Sequence, residues 1–266
     1  MSNLLLTERA KRAEVNSRLL AVRAAVKKDL SVPGAPAEAG LLRDEQDVQD
    51  ILPLLVLIPL ADKPAAEAVR LAVSLELAYL AGRIHDLACR AEAPPRGSSI
   101  LIGDYLYALS AARLNADGYD SWLGKVGRSL ARRAEAAICR LQWAERAYVP
   151  EDERLANLHK EHAEAISLAA GLAAEASGMN EAETAAYTEF GFHLGVLQGM
   201  RLYGCDGAAY MQAKEQSLAK AEAAVSALPQ VSPLAKLLLL APLSAEGRRA
   251  RPKTEEPVSA VEYPYN

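Results

Sequence analysis

The chain has 266 residues, of which half are hydrophobic and few are aromatic, and its formal net charge at pH 7 is −4. This length can bury a sizeable core in one large domain or two small ones. Because charges of both signs are mixed throughout, the sequence offers no basic surface for nucleic acid or for an anionic membrane. The scattered cysteines Cys89, Cys139 and Cys205 favour a reducing cytoplasm over a disulfide framework or a zinc site.

The N-terminal half is dominated by helical periodicity. A first helix is predicted from Glu8 to Leu30, where apolar residues recur at helical spacing. Its predicted core positions are Val15, Leu19, Leu20, Val22 and Val26. The next apolar run, ILPLLVLIPLA, is far shorter than the ~20 residues that a membrane-spanning helix needs, so it predicts a buried helix. The stretch from Ala65 to Cys89 is apolar on nearly every side and therefore predicts a central helix.

The remainder of the chain continues the same pattern. Further helices are predicted over Ile100 to Leu114, Leu123 to Ala147, Glu151 to Ser177, Ala182 to Arg201 and Ala208 to Ala227, with a short apolar turn from Leu234 to Leu240. No segment alternates with the two-residue period of a strand, which predicts an all-α fold. We expect one helical domain over residues 1–243, a flexible charged tail over 244–266, and no secretory leader in MSNLLLTERAKR.

Four stretches occur in the order of motifs known from one enzyme family. ILIGDYLYALSAARL is similar to A-I-L-A-G-D-Y-L-L-A-x-A, and SLELAYLAGRIHD is similar to E-L-I-H-x-A-S-L-I-H-D-D. LPLLVLIPL is similar to R-P-L-L-V-L, and the stretch over 166–198 is similar to the segment that ends F-G-x-x-L-G-x-A-F-Q. The chain thus resembles the all-trans polyprenyl diphosphate synthases over most of its length, and the resemblance implies a single isoprenoid-synthase-like helical bundle.

The resemblance implies a chemistry whose site residues are largely replaced. In the family, two D-D-x-x-D motifs hold Mg²⁺ ions that ionise an allylic diphosphate. The first motif position here runs from Asp86 to Arg90, and the second runs from Leu202 to Asp206, so each keeps one carboxylate. Asp86, Arg90 and Asp206 are therefore interpreted as degenerate remnants. We expect no catalytic residue, no metal site and no cofactor, and a chain that is truncated after the second motif.

The residues that would bind the second substrate in the family are also replaced here. The family's G-G-K-R-x-R-P falls on residues 47–53, where Asp50 replaces an arginine and would repel a diphosphate. The family's histidine in E-L-x-H is Tyr79, and its Lys-Thr pair falls on Glu161 and His162, with Lys160 one residue away. These replacements predict that the chain no longer binds a diphosphate at this position.

Each remaining polar residue has a structural alternative. Asp86 and Arg90 stand at i,i+4, the spacing of a helical ion pair, and His85 suits an interior hydrogen bond. Asp206 precedes Gly207 and a new helix, which favours an N-cap. Arg96 matches a family arginine that touches diphosphate, so it is a weak candidate for substrate binding, with a surface turn as the alternative.

The small residues before the first motif concern the length of the prenyl product. The resemblance implies that Ala81 and Gly82 leave an elongation tunnel open, so Ala81, Gly82 and His85 are predicted to line a cavity. Preserved helices beside altered ligand positions favour a non-catalytic or regulatory subunit of a long-chain (hexaprenyl to heptaprenyl) diphosphate synthase that supplies quinone side chains. Its expected partner is a catalytic synthase subunit. The alternatives are a free-standing homodimer that binds a prenyl chain or acts as a scaffold, and a weakly active prenyltransferase using Asp86, Asp206 and Arg96.

Overall fold

In a computed structural model, the protein is a bundle of α-helices, and no strand occurs among the residues that the structure describes. The described residues are 2–31, 50–88, 96–143, 145–203, 207–236 and Leu240. The helices are α1 (Ser2–Leu30), α2 (Ile51–Leu57), α3 (Ala65–Ala88), α4 (Arg96–Ala116), α5 (Leu123–Trp143), α6 (Glu151–Leu158), α7 (Glu164–Ser177), α8 (Glu181–Tyr203), α9 (Ala208–Ser226) and α10 (Ser232–Ala235). The all-α prediction is confirmed.

The central position of α3 follows from its sequence. Between Leu71 and Ile84 every residue of this helix is buried, as expected for a helix that is apolar on all sides. It packs against α1, α2, α4 and α5. The central-helix prediction is therefore confirmed, and the predicted start at Ala65 agrees with the structure.

The first helix buries one stripe rather than all the predicted core positions. Val15, Leu19, Val22 and Val26 are buried, but Leu20 is 62 % exposed. Because α1 covers the bundle from outside, its contact face is the narrow i, i+4, i+7, i+11 stripe, and a residue one step from that stripe faces away. The prediction of Leu20 as a core residue was wrong.

Helices α6 and α7 follow each other without a loop and form one rod, in which a π-helical turn, His159–Ala163, joins the two α-helical parts. The rod ends at Ser177, and Gly178 closes it in the left-handed conformation with φ of +88°. A π turn inserts one extra residue into a helix and is common at functional sites. It turns Glu161, His162 and Ala163 into the interior of the bundle.

One helix start and one N-cap near the predicted site residues differ from the predictions. Helix α4 begins at Arg96 rather than at Ile100, so Arg96 and Gly97 belong to a first helical turn and not to the surface turn considered above. Helix α9 begins at Ala208 with Gly207 at its N-cap, and the carboxylate of Glu151 accepts a hydrogen bond from the Ala209 amide at 3.1 Å. The N-cap predicted at Asp206 is thus one residue early, and Asp206 itself lies outside the described residues. The predicted tail over 244–266 also lies outside them.

Candidate functional site: a buried seam of ion pairs

One face of α3 carries polar side chains into the apolar interior. Glu76, Tyr79, Arg83 and Asp86 follow each other at intervals of three and four residues, so they share a face of the helix. Each is at most 9 % exposed. This polar seam runs over ten residues, or about 15 Å of helix, and ends at the one described carboxylate of the first aspartate-motif position.

Asp86 is neutralised by an arginine from another helix. Both Nη2 and Nε of Arg133, on α5, donate to Asp86 Oδ2, at 2.6 and 3.1 Å. The side chains are 3 % and 8 % exposed for Arg133 and Asp86, so the pair is shielded from water. The local ion pair between Asp86 and Arg90 was an expectation from helical spacing, and Arg90 lies outside the described residues.

A second arginine of α5 joins the same network. Arg140 forms an ion pair with Glu161 of the π turn, and its Nη2 lies 3.9 Å from Asp86 Oδ1. Arg133 Nη1 also donates to the backbone carbonyl of Glu161 at 2.8 Å. Two carboxylates and two guanidinium groups therefore alternate across the space between α3, α5 and the π turn, and their charges balance.

Tyr79 of the seam and His162 of the π turn, which lies beside it, are both in their neutral forms. Tyr79 Oη and His162 Nδ1 share a hydrogen bond of 3.1 Å, and the Arg133 guanidinium lies 5.3 Å from the centre of the Tyr79 ring. Burial lowers the pKa of His162 well below its usual range, and the positive charge of Arg133 lowers that pKa further. Burial also raises the pKa of Tyr79. Near neutral pH neither group adds charge to the seam.

Glu76, at the other end of the seam, is also neutral near pH 7. Burial raises its pKa to about 8, against an opposing effect of Arg83 and with a further increase from Asp50. Its Oε2 atom is buried and has no hydrogen-bond partner. A protonated carboxyl is the form that such a site tolerates.

The position expected for the second substrate is occupied by an ion pair between two residues of this chain, at the edge of the bundle. Arg23 of α1 donates from Nε to Asp50 Oδ1 at 2.8 Å and also contacts Asp50 Oδ2 through Nη2. Asp50 stands at the N-cap of α2 without capping it. The carboxylate that replaces a family arginine thus binds an arginine of its own chain, which fastens α1 to α2.

The space beside Gly82 is filled. A side-chain carbon added at Gly82 would lie 2.5 Å from Cδ of Arg133 and 2.9 Å from its Nε. The adjoining interior cavity has a volume of about 30 Å³, and its walls include Leu52, Leu75, Tyr79 and Arg133. Ligand pockets usually have volumes of roughly 300–1,000 Å³, and this cavity has room for one or two water molecules.

The structure shows where the three predicted cavity-lining residues lie, but their role in lining a cavity stays a prediction. Ala81 is 1 % exposed and packs in the core, and Gly82 faces Arg133. His85 Nε2 lies 3.2 Å from the Ile100 carbonyl and 3.2 Å from Asp104 Oδ1, which ties the end of α3 to the start of α4. Asp104 itself is exposed.

The two arginines that pair with the buried carboxylates, Arg133 and Arg140, were not among the predicted site residues. A signal was present, because Val126, Leu130, Arg133 and Ala137 form a stripe at i, i+4, i+7 and i+11, so Arg133 falls on the face that α5 turns toward the core.

The donor set at Asp86 does not suit Mg²⁺. Magnesium needs several oxygen ligands in octahedral geometry, whereas both carboxylate oxygens of Asp86 face guanidinium groups. Among the described residues, no group of three or more His, Cys, Asp or Glu side chains could hold a metal ion. Within the same residues, no helix is both long and apolar enough to cross a membrane.

The fold has clear counterparts among solved structures. The chain is similar to a decaprenyl diphosphate synthase from Rhodobacter capsulatus, with a TM-score of 0.67 and 18 % identity over 92 % of this chain and 99 % of that one. It is also similar to a heptaprenyl diphosphate synthase from Staphylococcus aureus, with a TM-score of 0.67 and 17 % identity over 88 % and 98 % of the two chains.

A third counterpart is the small subunit of geranyl diphosphate synthase from Antirrhinum majus, with a TM-score of 0.60 and 12 % identity over 86 % and 98 % of the two chains. No family model matches the sequence, and no curated protein matches it. The chain therefore has the helical fold of the polyprenyl diphosphate synthases, which confirms the expected architecture. Fold alone does not carry function.

Proposed function

We propose that this chain is a non-catalytic subunit of a heteromeric long-chain polyprenyl diphosphate synthase, which acts by completing an assembly in the cytoplasm that makes quinone side chains. The observation that carries the proposal is that Asp86 and Asp50 are each paired with an arginine of the same chain. Asp86 binds Arg133, and Asp50 binds Arg23, so the described carboxylates at both expected substrate positions are engaged within the chain. The similarity in fold to the small subunit of geranyl diphosphate synthase from Antirrhinum majus supports the same role.

An exposed face of α4 supports a partner of the same fold. Leu101, Asp104, Tyr105 and Ala108 agree with the letters of the family's G-D-Y motif, and all four are exposed. Leu101 is 70 % exposed and Tyr105 is 44 % exposed. Core packing does not explain agreement at exposed positions, whereas contact with another subunit would, since large apolar side chains in contact with water favour burial in an interface.

The assembly is tested by mixing the chain with a catalytic long-chain synthase and measuring co-elution by size-exclusion chromatography and the length of the product. We expect a complex and a changed product length, and Leu101→Asp should abolish both. Leu20→Asp is the matched control, because Leu20 is 62 % exposed on α1, outside the α4 face. If neither complex nor product change is found, the proposal is wrong. A self-association that Leu101→Asp disrupts, without any synthase partner, would favour the free-standing homodimer.

The catalytic alternative is tested on the chain alone. With Mg²⁺ and allylic diphosphates of several lengths, the proposal expects no consumption of substrate. Mg²⁺-dependent consumption that is lost in Asp86→Asn would favour the weak prenyltransferase.

A further inference from the structure

We propose that a cavity at one end of the bundle binds a small amphipathic carboxylate, with its apolar part on the cavity wall and its carboxylate at Lys63. The cavity has a volume of about 520 Å³, which lies within the roughly 300–1,000 Å³ of typical ligand pockets. Lys63 directly precedes the first turn of α3, and about 30 Å of that helix separates Ala65 from Asp86. This site is distinct from the residues on which the subunit role rests, so either proposal can fail without the other.

Four parts of the chain enclose the cavity and give it apolar walls. They are α1, the connection between α2 and α3, the connection between α7 and α8, and the connection from α9 into α10. Ile58 and Val231 are each 3 % exposed, and Ala61, Met179 and Leu234 pack against the same core cluster. A hydrocarbon body placed here would leave water for an apolar surface that is already formed.

Most charges at the rim of the cavity are compensated within the chain. Lys11 Nζ lies 3.1 Å from Asp62 Oδ1. Glu183 accepts hydrogen bonds from Gln230 Nε2 at 3.2 Å and from the Asn180 amide at 3.0 Å. Because Glu183 also stands in the first turn of α8, the dipole of that helix stabilises its negative charge.

Lys63 differs from these rim residues. It is half-buried in the cavity wall, and its ammonium group has no hydrogen bond or ion pair among the residues that the structure describes. A lysine ammonium is a compact point charge with three donors, which suits a single carboxylate. A dianion such as a phosphate monoester would bring a second negative charge close to Asp62 and Glu183, which disfavours it. The ligand class that fits is therefore a monoanion with an apolar body.

The test is a titration of the isotope-labelled full chain with octanoate near pH 7, followed by two-dimensional amide NMR. We expect saturable shifts at the amides of Lys63 and Gly178, which lie in two walls of the cavity, with a Kd on the order of 1 mM or below. Each methylene added to the ligand should tighten binding roughly two- to fourfold, because more hydrocarbon is buried. The neutral analogue 1-octanol should bind at least about tenfold more weakly.

Variants of Lys63 separate recognition of the carboxylate from adsorption of hydrocarbon. Lys63→Met keeps a long side chain without the charge, so it should weaken octanoate binding about tenfold. Lys63→Glu should lose octanoate and bind octylamine instead, a gain that misfolding would not produce. The matched control is Lys28→Met, at an exposed lysine about 25 Å along α1 from Lys11, and it should bind octanoate as the wild type does.

Three results would overturn the proposal. One is the absence of saturable shifts at Lys63 and Gly178 up to about 10 mM octanoate. Another is equal affinity of the wild type and Lys63→Met. The third is a set of unsaturated shifts around exposed apolar residues such as Met211, which would mean adsorption to the surface. If Lys63→Met does not fold, the exchange of octanoate for octylamine in Lys63→Glu gives the same decision.

Discussion

Removal of Arg133 alone should destabilise the protein far more than removal of the adjacent Arg132. In Arg133→Met the arginine stem is approximately preserved, but Asp86, which is 8 % exposed, loses its nearest cation. Breaking a buried pair from one side costs about 3–5 kcal/mol, because the remaining charge is left without compensation. For a domain of this size roughly 2–4 °C of Tm is lost per kcal/mol, so we expect Tm to fall by roughly 6–20 °C.

The assay is thermal unfolding followed by circular dichroism, with Arg132→Met as the control on the same helix. Arg132 is an exposed arginine that pairs with Glu164, and its removal should shift the midpoint much less. The double variant Asp86→Leu/Arg133→Met removes both buried charges, and it should recover most of the loss, since an apolar replacement of a buried pair is often neutral or stabilising. Equal midpoints for Arg133→Met and Arg132→Met would refute the reasoning, as would a double variant no more stable than Arg133→Met.

Three further predictions test other parts of the seam and one helix start. The pKa of Glu76 is about 8 in the folded chain and near 4.5 when unfolded, so the free energy of unfolding should fall as pH rises from 4.5 to 8. Glu76→Gln lacks this loss, so by pH 8.5 its free energy of unfolding in urea should exceed that of the wild type by on the order of 5 kcal/mol. If the free energy of unfolding changes equally with pH in both proteins, the prediction is wrong. Gly82→Ala should cost about 1–3 kcal/mol by overpacking against Arg133, and the cost should shrink in an Arg133→Ala background, as a double-mutant cycle of melting curves would show. Glu151→Ala removes the acceptor of the Ala209 amide and should lower stability by about 1 kcal/mol in the same melts, and no change would mean that another group satisfies that amide.

The helices could be predicted because their information is local, whereas the type of bundle was expected from the family resemblance. The contact stripe of α1 and the all-round burial of α3 follow from helical spacing over fewer than 25 consecutive residues. The rod from Glu151 to Ser177 was predicted as one helix for the same reason. Its π turn has no comparable local signature, so the one-residue insertion within it could not be foreseen.

The site could not be predicted to the same extent because its partners are distant in sequence. Asp86 and Arg133 are separated by 47 positions, and their pairing depends on how α5 is placed along α3. Sequence spacing alone offers only partners on the same helix, such as Arg90 at i+4, which is why that pair was expected. Likewise, the ungapped match of Glu161 and His162 to a Lys-Thr pair carried no information on the π turn in which both side chains are buried.

The arginines explain how this bundle can keep ionised carboxylates in its interior. A buried carboxylate needs a cation or must take up a proton. Asp86 has Arg133, Glu161 has Arg140, and Glu76, whose pKa is about 8, takes the second route. A magnesium ion entering this region would have to displace a guanidinium that already contributes charge-assisted hydrogen bonds. The same arginine that neutralises Asp86 also fills the space beside Gly82, so one side chain sets both the charge and the packing of this part of the interior.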